Sequence, residues 1–191
     1  MTGIKDYPRV NINFNPEIPP LKKVKDKTKI DVRYSVISPF SFIHIYWDEK
    51  EYEVLYEIEE PILTDIEKGY LSQILPAMRD LIDFDVIIEK GIDKLLEYID
   101  KRLKIIAFEL GLNFSYDTYK KIYYYLVRDF VGFNEIEPLL RDFFVEDIEC
   151  NGNESPVYIV HRIFRNLKTN LSFKDMDKLE NFVEKLAQRS G

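Results

Sequence analysis

From Val32 to Ile58 apolar and polar residues alternate in three runs, VRYSVIS, SFIHIYW and YEVLYEI. A period of two, rich in β-branched and aromatic residues, marks half-buried strands. Breaks at Ser38-Pro39 and at Asp48-Glu49-Lys50 separate the runs, so the pattern predicts a three-stranded antiparallel meander. In its middle strand Ile43, Ile45 and Trp47 share one face, and Phe42, His44 and Tyr46 the other.

From Thr64 the period lengthens. Thr64 with Glu67 forms a capping box, worth about 1 kcal/mol, and opens a helix expected to end near Pro76. A short second helix is expected through Met78, Leu81 and Ile82. The clearest amphipathic stripe follows, with Ile92, Leu95, Leu96, Ile99, Leu103, Ile106, Ala107 and Leu110 on one face and Gly111 as the stop. Ser115 caps the next helix, whose Tyr119, Ile122, Tyr123, Leu126, Val127 and Phe130 repeat the spacing until Gly132. Two such helices joined by a short link are expected to pack antiparallel.

The third section begins with EIEPLLRDFFVEDIECNG, residues 135–152. Pro138 pre-sets the first turn of a short helix, PLLRD. VEDIEC reads as a strand, NGNESP as a turn, VYIVHR as a second strand, and about 163–169 as a further one. Ser172 caps a last helix carrying Leu179, Phe182, Val183, Leu186 and Ala187, and the chain stops at LAQRSG just as that helix ends, as if cut at a domain boundary. The expected class is α+β: a small antiparallel sheet with a helical pair, then a compact α+β unit. The expected organisation is a flexible arm over 1–29, a meander plus helical subdomain over 30–131, and an α+β subdomain over 132–191. The arm, with Pro8, Pro16, Pro19 and Pro20, is ordered only if something holds it.

Composition adds a core and removes some partners. Hydrophobic residues make up 46% of the 191, enough for a packed interior. Charged residues at 32% and a single cysteine lean toward a heat-adapted source. A net charge of −7 argues against nucleic acid, which needs a concentrated basic surface. The exception is LKKVKDKTK, residues 21–29, read either as a solvated arm or as an electrostatic arm for an acidic partner or a membrane surface. No apolar run approaches the ~20 residues of a membrane span and no signal peptide is visible, so a cytoplasmic protein is expected.

Candidate chemistry is thin. Among seven glycines there is no phosphate-binding loop, dinucleotide fingerprint or nucleophile elbow. His44 and His161 lie in strand patterns between apolar neighbours and read as structural. DLIDFD, residues 80–85, reads as helix-end charges before it reads as a cation site, so no metal site is assigned. Cys150 has no activating base beside it and reads as a buried thiol. The tyrosines 123–125 read as core plus interface. Arg128, Arg141, Arg162 and Arg165 are expected to pair with nearby carboxylates, or else to meet phosphate at an interface.

Over about 116–191 the series EPLLRD, VEDIECNG, PVYIVHR, TNLSF and LENFVEKLAQRSG resembles the N-terminal domain of type II/type IV secretion ATPases, above all the archaeal members that drive pili and archaella. Over 30–115 only FIHI, EEP and the helical pair match in character. The resemblance implies a non-catalytic domain of a hexameric ATPase, truncated before the RecA-like domain that binds ATP and Mg. No cofactor is expected in this chain, and it is not expected to be an enzyme, because the family's catalytic motifs are absent from it. The implied partners are its own ATPase domain, neighbouring subunits, and an inner-membrane platform or other secretion-machinery protein, which would hold it at the membrane face. Glu137, Pro138, Arg141, Asp142, Glu146, Asp147, Asn151 and Gly152 would then form an interface motif, with Arg128 and Arg162 as candidates for nucleotide contact. The alternative is a self-contained protein-binding adaptor using the meander and the aromatic helix.

Overall fold

The alternating runs form the expected meander in the computed structural model, which describes residues 5–81, 91–152, 154–173 and 187. Strands β1 (Asp31–Ile37), β2 (Ser41–Asp48) and β3 (Glu53–Glu59) pair antiparallel, with Ile45 opposite both Val32 and Tyr56. Ile43 and Ile45 are fully buried, while Phe42, His44 and Tyr46 on the other face stay partly exposed. Each fully buried isoleucine contributes roughly 2 kcal/mol, so this alternation fixes the register: a one-residue slip would turn both outward.

Strands β4 (Val145–Glu149), β5 (Pro156–His161) and β6 (Arg165–Ser172) form a second antiparallel ribbon, in which Val157, Ile159, His161, Leu167 and Thr169 are buried. The two ribbons are one sheet. β6 runs parallel to β3 through Leu55–Lys168 and Tyr56–Thr169, giving the order β1-β2-β3-β6-β5-β4. The Asn170 amide lengthens this brief junction, accepting from the Ile58 N–H at 2.9 Å and donating to the Ile58 carbonyl at 3.0 Å.

This sheet redraws the expected division. The meander does not share a subdomain with the helical pair; it belongs with the strands after Phe133. The chain separates into a helical unit, Met1–Asn11 with Pro61–Gly132, and a sheet unit, Ile12–Glu60 with Phe133–Gly191. Periodicity reports the face of each strand but not its distant partner, and the open edge of β3 is satisfied by β6, more than a hundred residues away.

The helical unit holds α1 (Asp65–Leu81), α2 (Ile92–Glu109) and α3 (Tyr116–Phe130). The capping box opens α1 as expected: the Thr64 N–H donates to Glu67 Oε2 at 2.8 Å, and the Glu67 N–H donates back to Thr64 Oγ1 at 3.2 Å. The expected stop at Pro76 does not occur. The helix continues through the proline because Ile74 and Met78 on either side of it are fully buried, so packing outweighs one lost backbone hydrogen bond. Gly111 ends the α2 segment with φ +66°, a conformation that costs glycine little. Ile92 and Leu110, placed on the apolar stripe, lie at the ends of α2 and are exposed. Tyr119 donates to Asp100 Oδ1 and Tyr123 to the Leu96 carbonyl, so α3 rises as α2 falls, the expected antiparallel pair.

The arm expected to be flexible is held by two aromatic residues, one in each unit. Tyr7 is buried in the helical unit, stacked on Tyr119 at 4.1 Å and donating to the Phe114 carbonyl at 2.9 Å. Phe14 is buried in the sheet unit, where the Arg141 guanidinium lies 4.9 Å from its ring, and Asn13 exchanges backbone hydrogen bonds with Ser38. The expected last helix lies outside the described residues except for Ala187, which is helical and exposed.

Candidate functional site

Within the sheet unit the 135–152 stretch folds as a 3-10 turn over Asn134–Ile136, a short helix α4 (Glu137–Arg141), strand β4 and a turn. Pro138 sits in the first turn of α4. Glu137 is buried: Oε2 accepts from the Phe133 N–H at 2.9 Å, and Oε1 accepts from Arg141 Nε at 2.6 Å. Gly152 closes the stretch at φ +100°, a conformation that penalises any other side chain.

Asp142, at the end of α4, is the centre of a buried network. Its Oδ2 accepts from Tyr34 Oη of β1 at 2.6 Å and from Tyr56 Oη of β3 at 2.7 Å, and its Oδ1 accepts from the Phe144 N–H at 2.9 Å. His161, fully buried at the end of β5, continues the chain. Its Nδ1 accepts from the backbone N–H groups of Ile163 and Phe164, both at 3.2 Å, which leaves the ring proton on Nε2, 3.5 Å from Tyr34 Oη.

The electrostatics follow from burial. Desolvation raises the Asp142 carboxyl above its ordinary range, partly offset by the tyrosine and Phe144 hydrogen bonds. Desolvation first, then the nearby Asp142 charge, pushes the Tyr34 and Tyr56 phenols well above 10. Burial lowers the His161 imidazole to about 4, so it is neutral at physiological pH. The network ties α4, β1, β3 and β5 together through side chains, and it makes α4 a rigid platform.

That platform and the turn directly after it present two apolar side chains. In Leu139-Leu140 the first residue is buried and the second exposed; in Phe143-Phe144 the order reverses. Leu140 is 46% exposed and Phe143 51%, which for large apolar side chains on a pinned element is the feature to explain. Arg162 lies with its guanidinium 4.3 Å from the Phe143 ring and Nε 3.6 Å from Glu146 Oε1.

The remaining sequence-derived residues fall as follows. Asp147 is exposed and bonds its neighbour's N–H, and Asn151 is exposed beside Gly152. Arg128 belongs to the helical unit, where it is buried, paired with Asp129 at 2.8 Å and set over the Tyr125 ring. Three of the four arginines thus pair with carboxylates: Arg128 with Asp129, Arg141 with Glu137, Arg162 with Glu146. His44 bonds Asp31 at 2.7 Å, a structural role. Tyr123 and Tyr124 are core, and Tyr125 donates to the Pro61 carbonyl. Cys150, expected to be buried, is exposed, because it follows the edge strand β4 directly before the turn. Most of DLIDFD lies outside the described residues; among those that are described, no cluster of His, Cys, Asp or Glu could hold a metal ion.

Sequence reasoning missed Tyr34, Tyr56 and His161 as partners of Asp142, and it missed Leu140 and Phe143. The apolar doublets flanking Arg141-Asp142 were the available signal, since adjacent side chains on a short helix or turn at a surface point in different directions and only one of each pair is buried.

Comparison with known proteins places the chain. No family model matches it. It is 32% identical over 172 residues to the uncharacterized protein MJ1288 of Methanocaldococcus jannaschii, covering 90% of this chain and 68% of that protein. The chain belongs to the MJ1288 family. A second relative, the uncharacterized protein MJ0900 of the same organism, is 27% identical over 188 residues, covering 89% of this chain but only 34% of its own length. Among the described residues no helix is long and apolar enough to cross a membrane.

Proposed function

We propose that this chain is a non-catalytic N-terminal domain of a hexameric secretion or pilus-assembly ATPase, one that packs the ring, docks it on the secretion machinery and moves against a nucleotide-binding domain. The observation that carries this reading is the pinned α4 platform. Asp142, the residue that ends α4, is hydrogen-bonded to two strands from one carboxylate oxygen, while Leu140 of α4 and Phe143 just after it are exposed. A domain that transmits motion needs a stiff contact element, and ordering it in advance lowers the entropy cost of each engagement. The series EPLLRD, VEDIECNG and PVYIVHR supports the reading as a resemblance, and MJ0900, matched over only a third of its length, supports a longer parent.

On this reading ATP and Mg belong to the nucleotide-binding domain, and Arg162, exposed at the platform, is the better of the two arginines for reaching them. The isolated chain is expected to hydrolyse no ATP above blank; robust turnover would overturn the proposal. In the full-length parent, Leu140→Asp with Phe143→Asp should weaken the hexamer and lower ATPase activity together. A gene that ends soon after Gly191, with no phosphate-binding loop downstream, would favour the adaptor instead.

A further inference from the structure

A second surface of the sheet unit, away from the α4 stretch in sequence, is built to receive something. At the tips of two hairpins lies a groove of about 560 Å³, lined by the apolar and aromatic residues Ile30, Trp47, Tyr52, Val54, Phe164 and Leu167. Both hairpin turns are fixed by side chains. Asp48 Oδ1 accepts from the N–H groups of Lys50 and Glu51 at 2.8 Å each, and His161 Nδ1 holds the N–H groups of Ile163 and Phe164. Tyr52 and Arg165 both adopt left-handed backbone, φ 53° and 69°, which is costly for residues of this size and worth explaining where it persists. Tyr52 is 79% exposed, an unusual state for an aromatic residue on a rigid turn.

Cationic side chains stand at the groove and on the arm beside it. Lys27 and Arg165 line it, and Lys22, Lys23 and Lys25 precede it along the exposed arm. Among the described residues none of these five makes an ion pair. Of the carboxylates on these turns, Asp26 bonds Thr28 and Lys29, Asp48 caps its turn, and Glu53, which lines the groove, shares Lys168 with Glu51. The result is two cations without an ion pair at an apolar, aromatic groove, with three more on the arm that leads to it, on a protein whose net charge is −7.

We propose that this groove docks an acidic peptide segment, an apolar residue entering the groove and flanking carboxylates meeting the lysines and Arg165. A groove admits projecting apolar side chains, whereas a bilayer surface needs apolar groups that protrude. A polyphosphate strand would meet the protein's net negative charge at much higher charge density than a short acidic peptide. The groove's role does not depend on the secretion reading, since an adaptor could use it as well.

The test is fluorescence polarisation of the full chain with a labelled synthetic peptide in which Asp and Glu flank a central Leu-Phe pair. Saturable binding that weakens with added salt is expected. Tyr52→Asn and Arg165→Asn, which keep a residue tolerant of left-handed backbone, should each weaken it about tenfold, the scale of a central contact. The charge reversal Lys22→Glu/Lys23→Glu/Lys25→Glu should weaken it at least as much, and Lys101→Glu on α2 should leave it unchanged. Failure of the peptide to bind, or equal affinity in the groove variants, overturns the proposal. So does binding of phosphatidylglycerol vesicles or oligothymidylate, lost in the same variants, where the peptide does not compete.

Discussion

Replacing Asp142 by Asn tests whether the buried network sets the stability of the sheet unit. Three donors converge on this carboxylate, two of them phenols on the same oxygen. With the amide carbonyl kept toward the Phe144 N–H, the amide nitrogen faces Tyr34 and Tyr56, and both phenol protons lose their acceptor. Tyr34 cannot adapt by turning, because its oxygen already faces the His161 Nε2 proton. Hydrogen bonds to a charged acceptor contribute about 1.5–3 kcal/mol each, so two lost bonds cost about 3–6 kcal/mol. Burying a neutral amide in place of a carboxylate returns part of that, and a net loss of about 2–4 kcal/mol follows. Urea denaturation followed by Trp47 fluorescence should show the midpoint falling by about 1–2 M at unchanged slope. In a Tyr34→Phe/Tyr56→Phe background, where the donors are gone, the same substitution should cost less than about 1 kcal/mol. A cost below about 0.5 kcal/mol in the native background, or equal costs in both, would refute the network.

Acid should unfold the chain through His161. Its folded pKa, lowered to about 4 from 6.5, lets the unfolded imidazole protonate first, so stability present above pH 6.5 is lost as pH falls to 4, by about 3 kcal/mol at about 1.4 per unit. Asp142, raised on folding, opposes this by taking up a proton in the folded state, and a stability–pH series on His161→Asn should be flatter by about one proton between pH 4 and 6.5. Thr64→Ala should cost about 1 kcal/mol as a lost cap, whereas Glu67→Ala should cost about 2–3 kcal/mol because Thr118 and Lys121 also donate to that buried carboxylate. Tyr7→Ala should cost about 3 kcal/mol in thermal or urea melts; a change within error would mean that the arm is not held by its aromatic residue.

The elements were legible because their signals are local. The alternation in β1–β3, the stripes of α2 and α3, the Thr64–Glu67 capping box and the positive-φ glycine at position 111 each follow from residues within a turn or two of one another. What did not follow was every feature set by distant partners. Pro76 reads as a stop until the burial of Ile74 and Met78 is known. The meander reads as a small sheet of its own until β6 satisfies the edge of β3. Tyr7 and Phe14 sit in a proline-punctuated arm with no period, so nothing marked them as anchors.

The same reasoning separates the two halves of the candidate site. Its scaffold was readable: Pro138, the strand and the Asn-Gly turn appear where the residue types require them. Its meaning was not, because the acids are expected as members of an interface motif and two of them are interior. Glu137 and Asp142 are buried and fully bonded, while Glu146, Asp147 and Glu149 are the exposed ones. Burying a carboxylate is tolerated only when its donors are in place, and the two phenol donors of Asp142 come from β1 and β3, more than eighty residues upstream. The acidic density of 135–152 therefore divides by depth. Its interior members fix the position of α4, and the residues they leave exposed beside them are apolar, Leu140 and Phe143.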